Sequence, residues 1–263
     1  HPDLFWSLVW DFCEVIGDKG ERLVADHGKM PGARYLPDST LNFAENLLRG
    51  TGAGPAIIAR DERGRRREMS RDQLRAEVAR VADGLRAAGV VAGDRVAGFL
   101  PNLPEAIVAM LATTSLGATW SSCSPDFGIR GVLDRFGQIA PKVLFTADGY
   151  CYGGKTLDSI ERIAGILESL PSVTCVVVVA NVNTQPDLAR LPEARRYEEF
   201  GQADARLRFE RLPFDHPLYI LYSSGTTGVP KCIVHGAGGT LLQHLKEHQL
   251  HSDVHPGERL ILF

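Results

Sequence analysis

The sequence predicts an α/β protein built on helix-covered, mainly parallel sheets. Three observations carry that prediction. From Pro55 to about residue 180, segments of strand length alternate with segments of helical periodicity, the pattern of a sheet whose crossovers lie on its faces. Several of the helical segments carry their own start and stop signals. The chain has 263 residues and 44% hydrophobic content, enough to bury a sizeable core as one large domain or two small ones.

The elements follow in order. Phe5-Trp6-Ser7-Leu8-Val9-Trp10-Asp11-Phe12 is apolar at helical spacing and predicts a helix laid over a larger body. A proline-broken arm, 30–37, precedes a short helix within 41–48. A strand over 56–60, a turn at Asp61-Glu62-Arg63-Gly64 and a return over 65–69 predict a hairpin, with Arg65-Arg66-Arg67 as a solvated, aggregation-resistant edge. Ser70 and Gln73 form a capping box, and Leu74, Val78, Val81, Leu85 and Ala88 make one apolar stripe that Gly89 ends. Strands are expected over 94–100, 118–121, 142–146 and 175–180. Helices are expected over 105–116, where the segment is apolar nearly all round, and over 126–139 and 156–170. Between 181 and 217 the periodicity is lost and prolines accumulate, so this stretch is expected to connect, with one short helix around 197–200.

Composition excludes several classes. Lys and Arg number 29 against 32 Asp and Glu, a net charge of -3, which argues against a general nucleic-acid or acidic-membrane binder. Cys13, Cys123, Cys151, Cys175 and Cys232 form no C-x-x-C pair, and no His/Cys pattern has zinc-ligand spacing, so no metal site is expected and a reducing cytoplasm is. No signal peptide and no apolar run of about 18 residues is visible, so no membrane span is expected. Residue 1 is not Met, and 259–263 reads as a strand cut in its middle, which predicts a piece of a longer protein.

The chemistry concentrates in LYILYSSGTTGVPKCIVH, 218–235. An apolar strand leads into a loop in which Ser223, Ser224, Gly225, Thr226, Thr227 and Gly228 put four hydroxyls and two glycines into six positions, and Lys231 adds a point charge before a second apolar strand. Donors anchored at both ends suit a pre-organised triphosphate cradle. A Walker A loop would place the lysine directly after the second glycine; here Val229 and Pro230 intervene and no hydroxyl follows Lys231. Read as such a cradle, 223–227 supplies hydroxyl and amide donors to the phosphates and Lys231 the balancing charge, with Thr226 and Lys231 as the candidate catalytic residues. A G-x-G-x-x-G reading of 236–241 fails, because Leu241 occupies the sixth position. His244, His248 and His251, at steps of four and three, are expected to lie on a solvated helical face rather than on a metal.

SSGTTGVPK closely resembles the phosphate-binding signature of the adenylate-forming superfamily, which holds acyl-CoA synthetases, luciferases and peptide-synthetase adenylation domains. LNFAENLL and the stretch from Gly117 to Lys155 look like the acetoacetyl-CoA synthetase branch, more than the acetyl-CoA synthetase one. The resemblance covers essentially the whole chain. It implies an arm over 1–54, an incomplete AMP-binding domain over 55–263 with the connecting region 181–217, and a small mobile C-terminal domain beyond it. It further implies that ATP, Mg²⁺ and CoA serve a ligase that activates a short acid, acetoacetate or alternatively acetate or another short-chain acid, as its acyl-adenylate. Related synthetases place basic residues against the CoA nucleotide near Gly153-Gly154-Lys155. Lys155 is therefore the candidate CoA contact, although Cys151-Tyr152 stands near the first of two arginines that acetyl-CoA synthetases carry there. His235 is expected to line the cleft. The superfamily's aromatic-Gly-x-Thr-Glu segment, ribose-binding aspartate, hinge and C-terminal lysine do not occur in 1–263, so this piece alone is expected to make no acyl-adenylate. A phosphotransferase and a non-catalytic nucleotide-binding module are the readings from other classes.

Overall fold

The structure, a computed structural model, describes residues 1–191, 193–223 and 228–261. Its centre is a seven-stranded sheet, with strands numbered here in chain order: β1 Arg95–Phe99, β2 Thr119–Cys123, β3 Val143–Ala147, β4 Cys175–Val179, β5 Ala194–Arg196, β6 Pro217–Tyr222 and β7 Cys232–Gly236. Across the sheet they run β5-β4-β3-β1-β2-β6-β7, all neighbours parallel except β6 and β7. The chain moves from β1 to β2, returns past β1 to build β3, β4 and β5, then crosses back to lay β6 beside β2. That reversal leaves the carboxyl ends of the strands open, the usual crevice for ligands in such sheets.

Alternation along the strands separates two cores. Val143, Phe145 and Ala147 face one side with Val177 and Val179, where they meet α3 (Arg71–Ala87) and α4 (Pro104–Ser115). Leu144, Val176 and Val178 face the other, against α5 (Ile129–Ile139) and α6 (Ile160–Leu167). A side-chain period of two is what lets one strand serve both faces. A third core joins α1 (Pro2–Phe12) through Val9 and Trp10 to Leu241 and Leu242 of α7 (Ala237–Lys246), with α2 (Phe43–Leu47) contributing Phe43.

The local signals act as expected at several ends. Ser70 Oγ accepts from the Gln73 N–H at 3.1 Å and Gln73 Oε1 accepts from the Ser70 N–H at 2.8 Å, so both halves of the capping box form. Asn42 caps α2 and its Nδ2 donates to the carbonyls of Ser115 and Glu210, which ties the arm to the end of α4.

Five expectations need correction. The helix expected from 156 begins at Ile160; before it, Gly149–Tyr152 and Lys155–Asp158 pair as an antiparallel hairpin. The helix expected from 126 begins at Ile129, after a turn in which the Ser124 hydroxyl bonds Asp126 Oδ2 at 3.0 Å. The stretch 181–217 does more than connect, since it supplies β5 to the sheet edge, a 3-10 turn Tyr197–Glu199, and the strand Leu212–Pro213. It is also bolted down: Arg80 donates to the Tyr197 and Phe200 carbonyls, each at 2.7 Å, and Gly201 sits at φ +89° where a Cβ would fall 1.8 Å from the Arg80 carbonyl oxygen. Residues 259–261 are not in a strand. The arginine run of the Pro55–Arg60/Arg66–Ser70 hairpin is only partly a solvated edge, for Arg67 forks onto Glu105 of α4 at 2.8 and 2.7 Å.

Candidate active site

The serine- and glycine-rich loop leaves the carboxyl end of β6 and returns as β7, so an antiparallel pair holds both its ends. The pairing runs to Tyr222 opposite Cys232, and the next residues continue it in a different form. Ser223 N–H donates to the Lys231 carbonyl at 3.1 Å, and Lys231 N–H donates to Ser223 Oγ at 3.2 Å. The first hydroxyl of the string thus fastens the neck of the loop, a use that composition alone does not show. Gly228 adopts φ +94° with open space around its Cβ position, so glycine is needed there for backbone conformation. Lys231 is exposed, and among the described residues no carboxylate pairs with it. Ser224, Gly225, Thr226 and Thr227 lie outside the described residues.

Neighbouring elements brace the loop. Gln138, at the end of α5, donates from Nε2 to the Pro230 carbonyl at 2.8 Å. Under the loop's root, Ser121 Oγ donates to the Ile220 carbonyl at 2.9 Å and lies 3.0 Å from the Tyr222 hydroxyl. Burial pushes the Tyr222 phenol well above its ordinary pKa, so it stays neutral. Neither Gln138 nor Ser121 is distinguishable in the sequence from a solvated helix residue or a strand hydroxyl.

His235 sits in β7 opposite Tyr219, with ring centroids 5.1 Å apart. It lines an open cleft of about 820 Å³ together with Tyr35, Phe214, Tyr219, Thr240 and His244. Partial desolvation, then the neighbouring His248 and His235, hold His244 below the ordinary imidazole pKa. Of the three spaced histidines, His244 belongs to α7 whereas His248 and His251 follow in a π-helical turn, Glu247–His251. All three are exposed, as a solvated face requires, and His244 and His248 remain neighbours with ring centroids 6.4 Å apart. No group of three or more His, Cys, Asp or Glu capable of holding a metal occurs among the described residues.

Lys155 opens the second strand of the Gly149–Tyr152/Lys155–Asp158 hairpin, separate from the loop, and Gly153 and Gly154 form its tip. The tip touches the other hairpin: Gly153 N–H donates to Glu62 Oε2 at 3.1 Å, and Arg63 donates to Thr156 Oγ1 at 2.7 Å.

An acetoacetyl-coenzyme A synthetase from Rhizobium meliloti is 54% identical over 262 residues, which cover 98% of this chain and 40% of that protein. A malonamoyl-CoA synthetase from Penicillium aethiopicum is 43% identical over 276 residues, covering 99% of this chain and 38% of its own. The structure of an acetoacetyl-CoA synthetase from Streptomyces lividans superposes with a TM-score of 0.92 at 44% identity, over 98% of this chain and 40% of that one. The chain therefore spans about two fifths of the length of the relatives it matches. The AMP-binding enzyme family matches residues 45–263, which include the braced loop, and the chain belongs to that family.

Proposed function

We propose that the protein containing this chain is an ATP-dependent acid–CoA ligase whose acid is acetoacetate. The observation that carries the reading is the loop anchored between β6 and β7 by the Ser223–Lys231 neck, in a chain 54% identical to an acetoacetyl-CoA synthetase across 98% of its length. In the first half-reaction a carboxylate oxygen of the acid attacks the α-phosphorus of MgATP, and the bond to the bridging oxygen breaks to release pyrophosphate. In the second, the CoA sulfur attacks the acyl carbonyl as its proton is lost, and AMP departs.

The chain's part in the first step is electrostatic. Ser223 to Thr227 donate to the β- and γ-phosphates, while Lys231 stabilises the charge that builds on the leaving pyrophosphate; such pre-organised donors act most strongly where charge develops. His235 lines the cleft beside this site. Lys155 contacts a phosphate of the CoA nucleotide from the hairpin tip, outside the cleft. Small molecules are the partners throughout: nucleotide, short β-keto acid and thiol. No helix among the described residues is long and apolar enough to cross a membrane.

A second acid is favoured by one observation, the malonamoyl-CoA synthetase at 43% identity. Malonamate carries an amide where acetoacetate carries a methyl ketone, so both present a carbonyl β to the carboxylate. The test is acid-dependent exchange of pyrophosphate into ATP by the full-length protein, with acetoacetate, malonamate and acetate run side by side. Exchange fastest with acetoacetate is expected. Fastest exchange with malonamate would transfer the assignment to that acid, and acid-dependent release of ADP in place of AMP would replace the ligase with a phosphotransferase.

A further inference from the structure

We propose that Arg135 is a second cation of the anion site and binds a terminal phosphate of the nucleotide alongside Lys231. The argument begins with an imbalance of charge. Arg135 is half-buried on α5, yet among the described residues no carboxylate lies within ion-pair distance of its guanidinium. One of its nitrogens, Nη1, donates to the Gly131 carbonyl of its own helix at 2.7 Å. The planar group is held by aromatic rings instead, 4.3 Å above Phe127 and 5.7 Å from Tyr222. Stacking of this kind fixes the plane of a guanidinium while leaving its remaining N–H donors pointed outward at the edge.

The position of that plane gives it a purpose. Tyr222 is the last residue of β6, directly before Ser223 at the neck of the loop. Gln138, three residues beyond Arg135 and so on the same side of α5, already reaches the loop through the Pro230 carbonyl. Tyr222 pairs with Cys232, the residue after Lys231, so the Arg135 guanidinium beside the Tyr222 ring and Lys231 both stand at the carboxyl end of β6. A partly desolvated cation without a counter-ion is costly to keep, and an anion entering beside the loop supplies the missing charge. Arginine is the residue suited to the task, since its fork matches two phosphate oxygens at once.

This inference rests on the nucleotide reading of the loop, and the experiment separates the two. Inorganic pyrophosphate is titrated into the full-length protein by calorimetry, for the unaltered protein, Arg135→Gln, Arg135→Met and, as a control on the same helix, the exposed Arg130→Gln. Both Arg135 variants are expected to weaken pyrophosphate binding about tenfold or more, with AMP affinity unchanged and Arg130→Gln at the unaltered value. Pyrophosphate bound equally well by the Arg135 variants overturns the proposal while leaving the ligase reading standing. In parallel, the unaltered protein is treated with phenylglyoxal and the modified arginines located by mass spectrometry, which requires no variant to fold. Protection of Arg135 by pyrophosphate and not by AMP is expected; modification of Arg135 at the same rate with and without pyrophosphate would overturn the assignment. Acid-dependent exchange by the unaltered protein reports separately on the ligase reading.

Discussion

The parallel part of the sheet and the β6–β7 hairpin are neighbours in one sheet, yet they are built to opposite specifications. Every residue of β3 and β4 is buried, and helices cover both faces, as a parallel sheet requires. In the hairpin, Leu221, Ile233 and Val234 are exposed by 46%, 46% and 57%, and β7 is an edge with no further strand beside it among the described residues. The stable part carries no group that the proposed chemistry uses. The hairpin carries the loop, the lysine and the cleft histidine. The difference teaches that, within this chain, the site hangs from one side of the core: β6 is fastened to β2, and the loop beyond it is held by the paired Ser223–Lys231 neck and by Gln138 at the Pro230 carbonyl.

That contrast can be broken most forcefully from the buried side. Phe145→Ala removes a fully buried ring that packs edge-to-face on Phe200 with centroids 5.8 Å apart, and should cost about 3–5 kcal/mol of stability, read as a fall in the urea midpoint. If the midpoint held, the parallel strands would not be the stabilising half. On the hairpin, Lys231→Ala should leave that midpoint in place while lowering pyrophosphate exchange of the full-length protein roughly 100- to 1000-fold, the usual scale for removing one group that stabilises developing charge. A fall in both quantities together would mean that loop and core are not separable. Thiol labelling compares the halves more gently. Burial pushes the Cys123 thiol at the end of β2 up to about 12, whereas Cys232 begins β7 half-exposed, so a maleimide should reach Cys232 much sooner in the native protein. The smallest effect belongs to Val234→Thr, an exposed position on a β strand, where stability should change by no more than about 0.5 kcal/mol in chemical denaturation.

The same division sets what could be read from the sequence. Strands buried on both faces are near-continuous apolar runs, so β1, β3 and β4 were legible to within a residue or two, and a capped helix such as α3 announced both its ends. The Lys155–Asp158 strand was absorbed into the following helix because Leu157, Ile160 and Ile163 share an apolar rhythm, although Gly153-Gly154 was an adequate hairpin signal. β5 had no signal to give: Ala194, Arg195 and Arg196 form a strand only because Val176 to Val178 present an edge to them. At the site, the loop was legible because its residue types are unusual together. Arg135 and Gln138 were not, since a polar residue on an amphipathic helix looks the same whether it meets water or a loop 92 residues further along the chain.

One feature of the far edge constrains how this protein can change over generations. At Gly201 the backbone has φ +89° and the Arg80 carbonyl fills the place of a side chain, so no residue bearing a Cβ fits without moving α3 or the turn. Every single-base change of a glycine codon that alters the residue adds a Cβ or stops translation. Point mutation therefore offers this site no step that leaves the clasp with Arg80 intact. A side chain at 201 needs α3 or the turn to move with it, so this one position ties any change in the sequence to a change in how the sheet edge is anchored.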